Sequence, residues 1–133
     1  MTLQVELVSP ERILFSGEAD MVIARTVGGG DIAFLTGHSP FVGALEIATV
    51  TVRSAAGDEL AAVHGGFVEV SNDTVTILSD VAELSSQIDV DRAQRAKDDA
   101  ERRLRDSHDA EAEGEARRAH VRLSVAGGLA SIH

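Results

Sequence analysis

The feature that most constrains this chain is a change of hydrophobic period at Ile88-Asp89. Before that joint the apolar residues alternate with polar ones. Leu3-Gln4-Val5-Glu6-Leu7, Val50-Thr51-Val52-Arg53, Val68-Glu69-Val70 and Thr74-Val75-Thr76-Ile77 all read with period two. Such segments form strands with one face inward and one toward water. Turn chemistry separates them: Ser16-Gly17, Gly28-Gly29-Gly30-Asp31, Gly37-His38-Ser39-Pro40, Ala56-Gly57-Asp58, His64-Gly65-Gly66 and Asn72-Asp73. Strands at this spacing predict an antiparallel sandwich or barrel over residues 1–86.

After the joint the spacing becomes helical. Val90, Ala93, Ala96, Ala100 and Leu104 form one stripe, and Ala112, Ala116, Ala119, Leu123, Ala126 and Ala130 form another. Asp89 suits an N-cap, with Ile88 and Ala93 placed as a hydrophobic staple. Asp106-Ser107-His108-Asp109 reads as the turn between two helices. Residues 87–133 are thus expected to fold as an antiparallel helical hairpin, which makes the chain α+β. Its seam is mostly alanine, and a buried methyl contributes only about 0.8 kcal/mol. The hairpin is therefore expected to be weakly held, so that a partner or ligand contributing a few kcal/mol shifts its docking.

Composition narrows the function. The net charge is −10, and it is unevenly spread. Residues 1–87 hold Arg12, Arg25 and Arg53, no Lys, and 12 Asp and Glu, whereas residues 88–133 hold nine basic and ten acidic residues. An acidic body repels nucleic-acid phosphates. The absence of cysteine excludes a disulfide scaffold and a thiolate metal site. There is no apolar run of membrane-spanning length and no signal-peptide pattern at Met1–Glu6, so an unexported protein without direct membrane insertion is expected.

Catalytic patterns are missing. Gly28-Gly29-Gly30 is not followed by Lys-Ser or Lys-Thr, as a phosphate loop requires. Gly37-His38-Ser39-Pro40 lacks the second glycine of a nucleophile elbow. His64-Gly65-Gly66 has no accompanying nucleophile. The histidines at 38, 64, 108, 120 and 133 never stand at i, i+4 with a helper carboxylate, so no metal site is expected. Asn72-Asp73-Thr74 is a glycosylation sequon that an unexported protein would not use. One constellation has ligand chemistry. Arg92 lies beside the exposed N–H groups of the first helix, and Arg118 and Arg122 share a face of the second. Folded together, they would make a phosphate cradle, although a solvated charged face is the commoner use of such spacing.

Several segments together resemble the epsilon subunit of bacterial F-type ATP synthases. They are Gly30-Asp31-Ile32 with Leu35-Thr36-Gly37-His38-Ser39-Pro40-Phe41, His64-Gly65-Gly66-Phe67-Val68-Glu69-Val70, Val75-Thr76-Ile77-Leu78, Ile88-Asp89-Val90-Asp91-Arg92-Ala93, and Arg122-Leu123-Ser124-Val125-Ala126. They fall in family order across nearly the whole chain. The resemblance implies a flattened sandwich of about ten strands followed by a hairpin. It implies a non-catalytic rotor subunit of the central stalk, held by the gamma subunit and the c ring at the cytoplasmic face of the membrane. That subunit couples proton flow to ATP synthesis. Its hairpin extends into the alpha/beta catalytic head to suppress hydrolysis, and folds down to release it.

The resemblance also implies site residues. Asp31 and His38 match loop positions that face the c ring and gamma subunit. Glu83, Ile88, Asp89, Arg92, Ala93, Arg118 and Arg122 match positions that bind a regulatory ATP in some members, while Asp99 stands where the best ATP binders are basic. No cofactor is required. A stand-alone ATP-binding sensor is the alternative role.

Overall fold

The computed structural model describes residues 2–107 and 109–127. Ala130 of the second stripe, together with His108 and His133, lies outside them. The first part consists of β1 (Leu3–Ser9), β2 (Arg12–Ala19), β3 (Met21–Thr26), β4 (Gly30–Leu35), β5 (Phe41–Ser54), β6 (Gly57–Ser71), β7 (Thr74–Leu78) and β8 (Ala82–Leu84). A 3₁₀ turn, Ser85–Gln87, leads to α1 (Val90–Asp106) and α2 (Ala110–Ala126).

The strands follow the order β2-β1-β7-β6-β5-β3-β4, with β8 also pairing β6. There are eight strands rather than ten because β5 and β6 run unbroken for 14 and 15 residues, each about the length of two ordinary strands. All pairings are antiparallel except β1–β7, which is parallel from Gln4↔Thr74 to Val8↔Leu78. Alternation does not distinguish these directions, since both ladders have period two.

Two expected turns prove to be strand interior. Ser16-Gly17 lies within β2, where Gly17 faces Val5. His64-Gly65-Gly66 lies within β6 and marks a kink. Residues 67–71 pair with β7 and residues 61–63 with β8. Gly65 and Gly66 have φ of 84° and 121°, in the range that favours glycine. A Cβ at Gly66 would stand 2.1 Å from the Leu78 carbonyl oxygen, so this position excludes every side chain. Asn72 and Asp73 do turn the chain, both at positive φ (51° and 58°), as a two-residue hairpin loop requires.

The folded-over sheet encloses one core, to which every strand contributes. Leu3, Val5, Leu7, Val22, Phe34, Val63, Val68, Val75 and Ile77 are each at most 1% exposed. On β6 the alternation is consequential: Ala61 and Val63 join this core, while Leu60 and Ala62 face the other way and join a second cluster with Ile88, Val121 and Val125. That second cluster is where the hairpin docks. α2 packs on β5 and β6, and α1 packs on α2. The helix seam buries Ala93 and Ala100 against Ala112 and Ala119.

Candidate functional site

The joint between the two parts is built residue by residue. Gln87 closes the 3₁₀ turn by accepting the Leu84 N–H on its Oε1 at 2.9 Å. Ile88 follows in extended conformation and is buried with Val121 and Val125. Asp89 then caps α1, its Oδ1 accepting the Arg92 N–H at 3.0 Å. A second cap, Asp109, accepts the N–H groups of Glu111 and Ala112 and starts α2. The two caps fix where each helix begins, and so which side chains face the sheet.

Glu83 connects the sheet to the hairpin. It stands on β8 opposite Ala62 and receives the Arg122 Nε at 2.6 Å. Its Oε1 also lies 3.2 Å from His64 Nε2. Both partners of the Glu83–Arg122 pair are about one-quarter exposed, so the pair is less screened than a surface bridge. A second connection, Arg117 to Glu46 at 3.5 Å, ties α2 to β5.

Of the seven residues matched to nucleotide binding, the structure brings Glu83 and Arg122 into contact and buries Ile88 and Ala93 nearby. Asp89 is occupied as the cap of its own helix. Arg118 lays its guanidinium back over Gly114. Arg92 is exposed, and among the described residues its guanidinium makes no hydrogen bond. Arg118 and Arg122 both act on His64, while Arg92 stands exposed in the first turn of α1. Asp99 is engaged by Arg102 at 2.7 Å and Arg103 at 3.3 Å, which hold its carboxyl below the usual carboxylate range.

The other two matched residues lie elsewhere on the sheet. Asp31 faces Arg25 across β3 and β4 and accepts from it at 2.9 and 3.1 Å. His38, in the loop after β4, places Nδ1 2.7 Å from the Ser39 carbonyl oxygen and sets its ring edge-on to Phe34. The same loop is tied down where Gly37 N–H donates to Asp73 Oδ1 at 2.7 Å.

Sequence reasoning missed three features. His64 stands beside the Glu83–Arg122 pair with its side chain only 3% exposed. Arg103 gathers Asp99, Asp109 and Glu115 at the hairpin tip; the density of charge in residues 99–115 was the available signal. The third is a row of outward apolar residues. Register places Ile13 beside Val8, Val8 beside Leu78, Leu78 beside Phe67 and Phe67 beside Ala44. Ile13, Leu78 and Phe67 are 64%, 51% and 59% exposed. A row this long and apolar on a sheet face marks a docking surface. A cavity of about 360 Å³ also opens between β5 and the hairpin, edged by Arg25, Asp31, Lys97, Arg117 and His120. Among the seven matched residues, none lines it.

Fold and joint together define a two-part docking protein: a sheet that presents an apolar row, and a helical arm latched to its other side. Residues 2–85 match the family described as ATP synthase, Delta/Epsilon chain, beta-sandwich domain, and residues 86–127 match its long alpha-helix domain. The ATP synthase epsilon chain of Streptomyces griseus is 47% identical over 122 residues, covering 91% of this chain and 92% of the relative. That of Halalkalibacterium halodurans is 44% identical over 131 residues, covering 95% and 98%. The chain belongs to the ATP synthase delta/epsilon family. A chain in the Euglena gracilis mitochondrial ATP synthase (OSCP/F1/c-ring assembly) shares the fold, with a TM-score of 0.70 at 20% identity, over 93% of this chain and 76% of that one.

Proposed function

We propose that this chain is the central-stalk epsilon subunit of a proton-translocating ATP synthase. In this role it is non-catalytic: it couples proton flow to ATP synthesis, and its hairpin restrains ATP hydrolysis. The observation that carries the reading is the pairing of a sandwich core with a hairpin held by a small apolar cluster and by ion pairs that include Glu83–Arg122 and Glu46–Arg117. An element so attached can occupy two positions at modest cost. The exposed row from Ile13 to Phe67 is the surface for a rotor neighbour, the gamma subunit, with Asp31 and His38 toward the c ring. The hairpin reaches the alpha/beta head when extended. No described helix is long and apolar enough to cross a membrane. The proposed place of the subunit is the cytoplasmic face, where it is attached peripherally through the complex.

The test is a complex whose epsilon chain ends after Asp89. ATP hydrolysis rises severalfold while gamma and c subunits still co-purify. Unchanged hydrolysis would remove the restraining role.

ATP acts here as a regulatory ligand of the docked hairpin, held near Glu83, Ile88, Asp89, Arg92, Ala93, Arg118 and Arg122. Glu83 already neutralises Arg122, so a phosphate must share that guanidinium. Calorimetry on the chain with ATP and Mg-ATP measures this directly, and no heat at millimolar nucleotide would exclude it.

A further inference from the structure

The carboxylate that anchors the hairpin also meets a titratable group that the proposed function does not use. His64 stands on β6 opposite Ile47, on the side of the strand that carries Ala62 and Leu60 to the hairpin. Its Nε2 lies 3.2 Å from Glu83 Oε1. Since ionised Glu83 only accepts, the proton sits on Nε2 and the lone pair on Nδ1. Nδ1 is buried and, among the described residues, has no hydrogen-bond partner.

The surroundings fix the consequence. A second proton has to go on Nδ1, where it would create a buried cationic donor with no acceptor. The charged groups facing the ring are few. Among the described residues, Glu83 comes from β8, Arg122 and Arg118 from α2, and Asp80, in the connection between β7 and β8, shares with His64 the edge of a separate cleft beside Phe67 and Leu78. Glu83 already holds Arg122 at 2.6 Å. A charged His64 would set a second cation on that carboxylate and face a third on Arg118.

We infer that His64 is a proton-operated latch: the docked hairpin requires it neutral, and protonation at Nδ1 releases α2 from the sheet. Burial first, and the charge of Arg122 second, hold the docked imidazole below its ordinary value. Departure of α2 removes the charges of Arg122 and Arg118, while Glu83 stays on β8 to stabilise the imidazolium. The undocked form therefore binds the proton more tightly. By linkage, docking is at full strength above about pH 6.5 and weakens as pH falls below it, by up to about tenfold per unit. The weakening levels off once the docked form is itself protonated. The latch resides in the chain alone and does not depend on its partners.

The chain has no cysteine, so a single introduced thiol reports docking. Val125, fully buried in the docking cluster, is changed to Cys. Its rate of modification by a maleimide is compared with that of the same chain carrying His64→Gln, from pH 8 to pH 5. The ratio of the two rates cancels the thiol's own titration. The expected ratio is flat above pH 7, rises up to about tenfold per unit below pH 6.5, and is unaffected by adding His120→Gln to both chains. A ratio that stays constant to pH 5, or a rise that His120→Gln abolishes, overturns the latch. An NMR titration of the unaltered chain checks it without relying on the variant. The His64 ring must titrate below the ordinary histidine range and move up in Arg122→Ala. Titration at the ordinary value in the docked chain overturns it as well.

Discussion

The sandwich core and the hairpin's attachment are built from different materials. The core uses Leu, Val, Ile and Phe gathered from every strand. The attachment uses Leu60, Ala62, Ile88, Val121 and Val125, reinforced by Glu83–Arg122 and Glu46–Arg117. The seam between the helices is thinner still, with four buried alanines and an ion-pair network around Arg103. Large side chains packed from all sides give one cooperative unit. Small side chains and half-exposed charges give a contact that opens locally at lower free energy than global unfolding. One chain thus joins a core of large side chains to an arm attached by smaller ones.

Substitutions can break this contrast or sharpen it. The largest effect belongs to Phe34→Ala, which empties the centre of the core, where Phe34 is fully buried. A loss of about 3–5 kcal/mol is expected. Amide exchange should show the strands losing protection, while the helices, which exchange through their own local opening, lose less. Arg122→Ala comes next, removing a charged hydrogen bond worth about 1.5–3 kcal/mol. Here α2 protection falls while that of β1, β3 and β7 stays unchanged; equal loss in both would contradict the two-part picture. Asp89→Ala removes the cap of α1, at about 0.5–2 kcal/mol, and frays the first turn alone, visible in the exchange of Arg92 and Ala93.

The smallest effect is at the hairpin tip. Arg102 and Arg103 hold Asp99 below the ordinary carboxylate range. Asp109 is lowered too, chiefly by the Ala112 N–H. A depressed carboxyl stabilises above its unfolded value, about 3.9, and the effect is lost as pH falls through the folded value. The tip should therefore loosen only in strong acid and weaken with added salt, as exposed pairs do. That window lies well below the one set by His64, so circular dichroism of the helices across pH separates the two.

Much of this was legible in the sequence. Alternation in Leu3–Leu7 and Thr74–Ile77 marked real strands, and Asp89 was readable as a cap because an aspartate before a helical stripe has few other uses. Other features were not legible. Glycine pairs signal turns by their freedom at positive φ, yet Gly65-Gly66 spend that freedom on a kink inside a strand, forced by the Leu78 carbonyl. The spacing of Arg92, Arg118 and Arg122 allowed a cradle. That Arg122 pairs with Glu83 was not legible, because Glu83 lies 39 residues away.

By itself the sequence determined the two periods, the place where they meet and the alanine composition of the seam, because these depend on side-chain type at neighbouring positions. The tertiary structure decided which face of β6 meets the hairpin, which carboxylate meets which arginine, and that His64 stands beside the Glu83–Arg122 pair with one nitrogen unpaired among the described residues. Those outcomes depend on strand register and helix rotation, which are set by packing across the whole fold. The joint at Ile88-Asp89 belongs to both: its cap is local chemistry, and its burial against Val121 and Val125 is a tertiary fact.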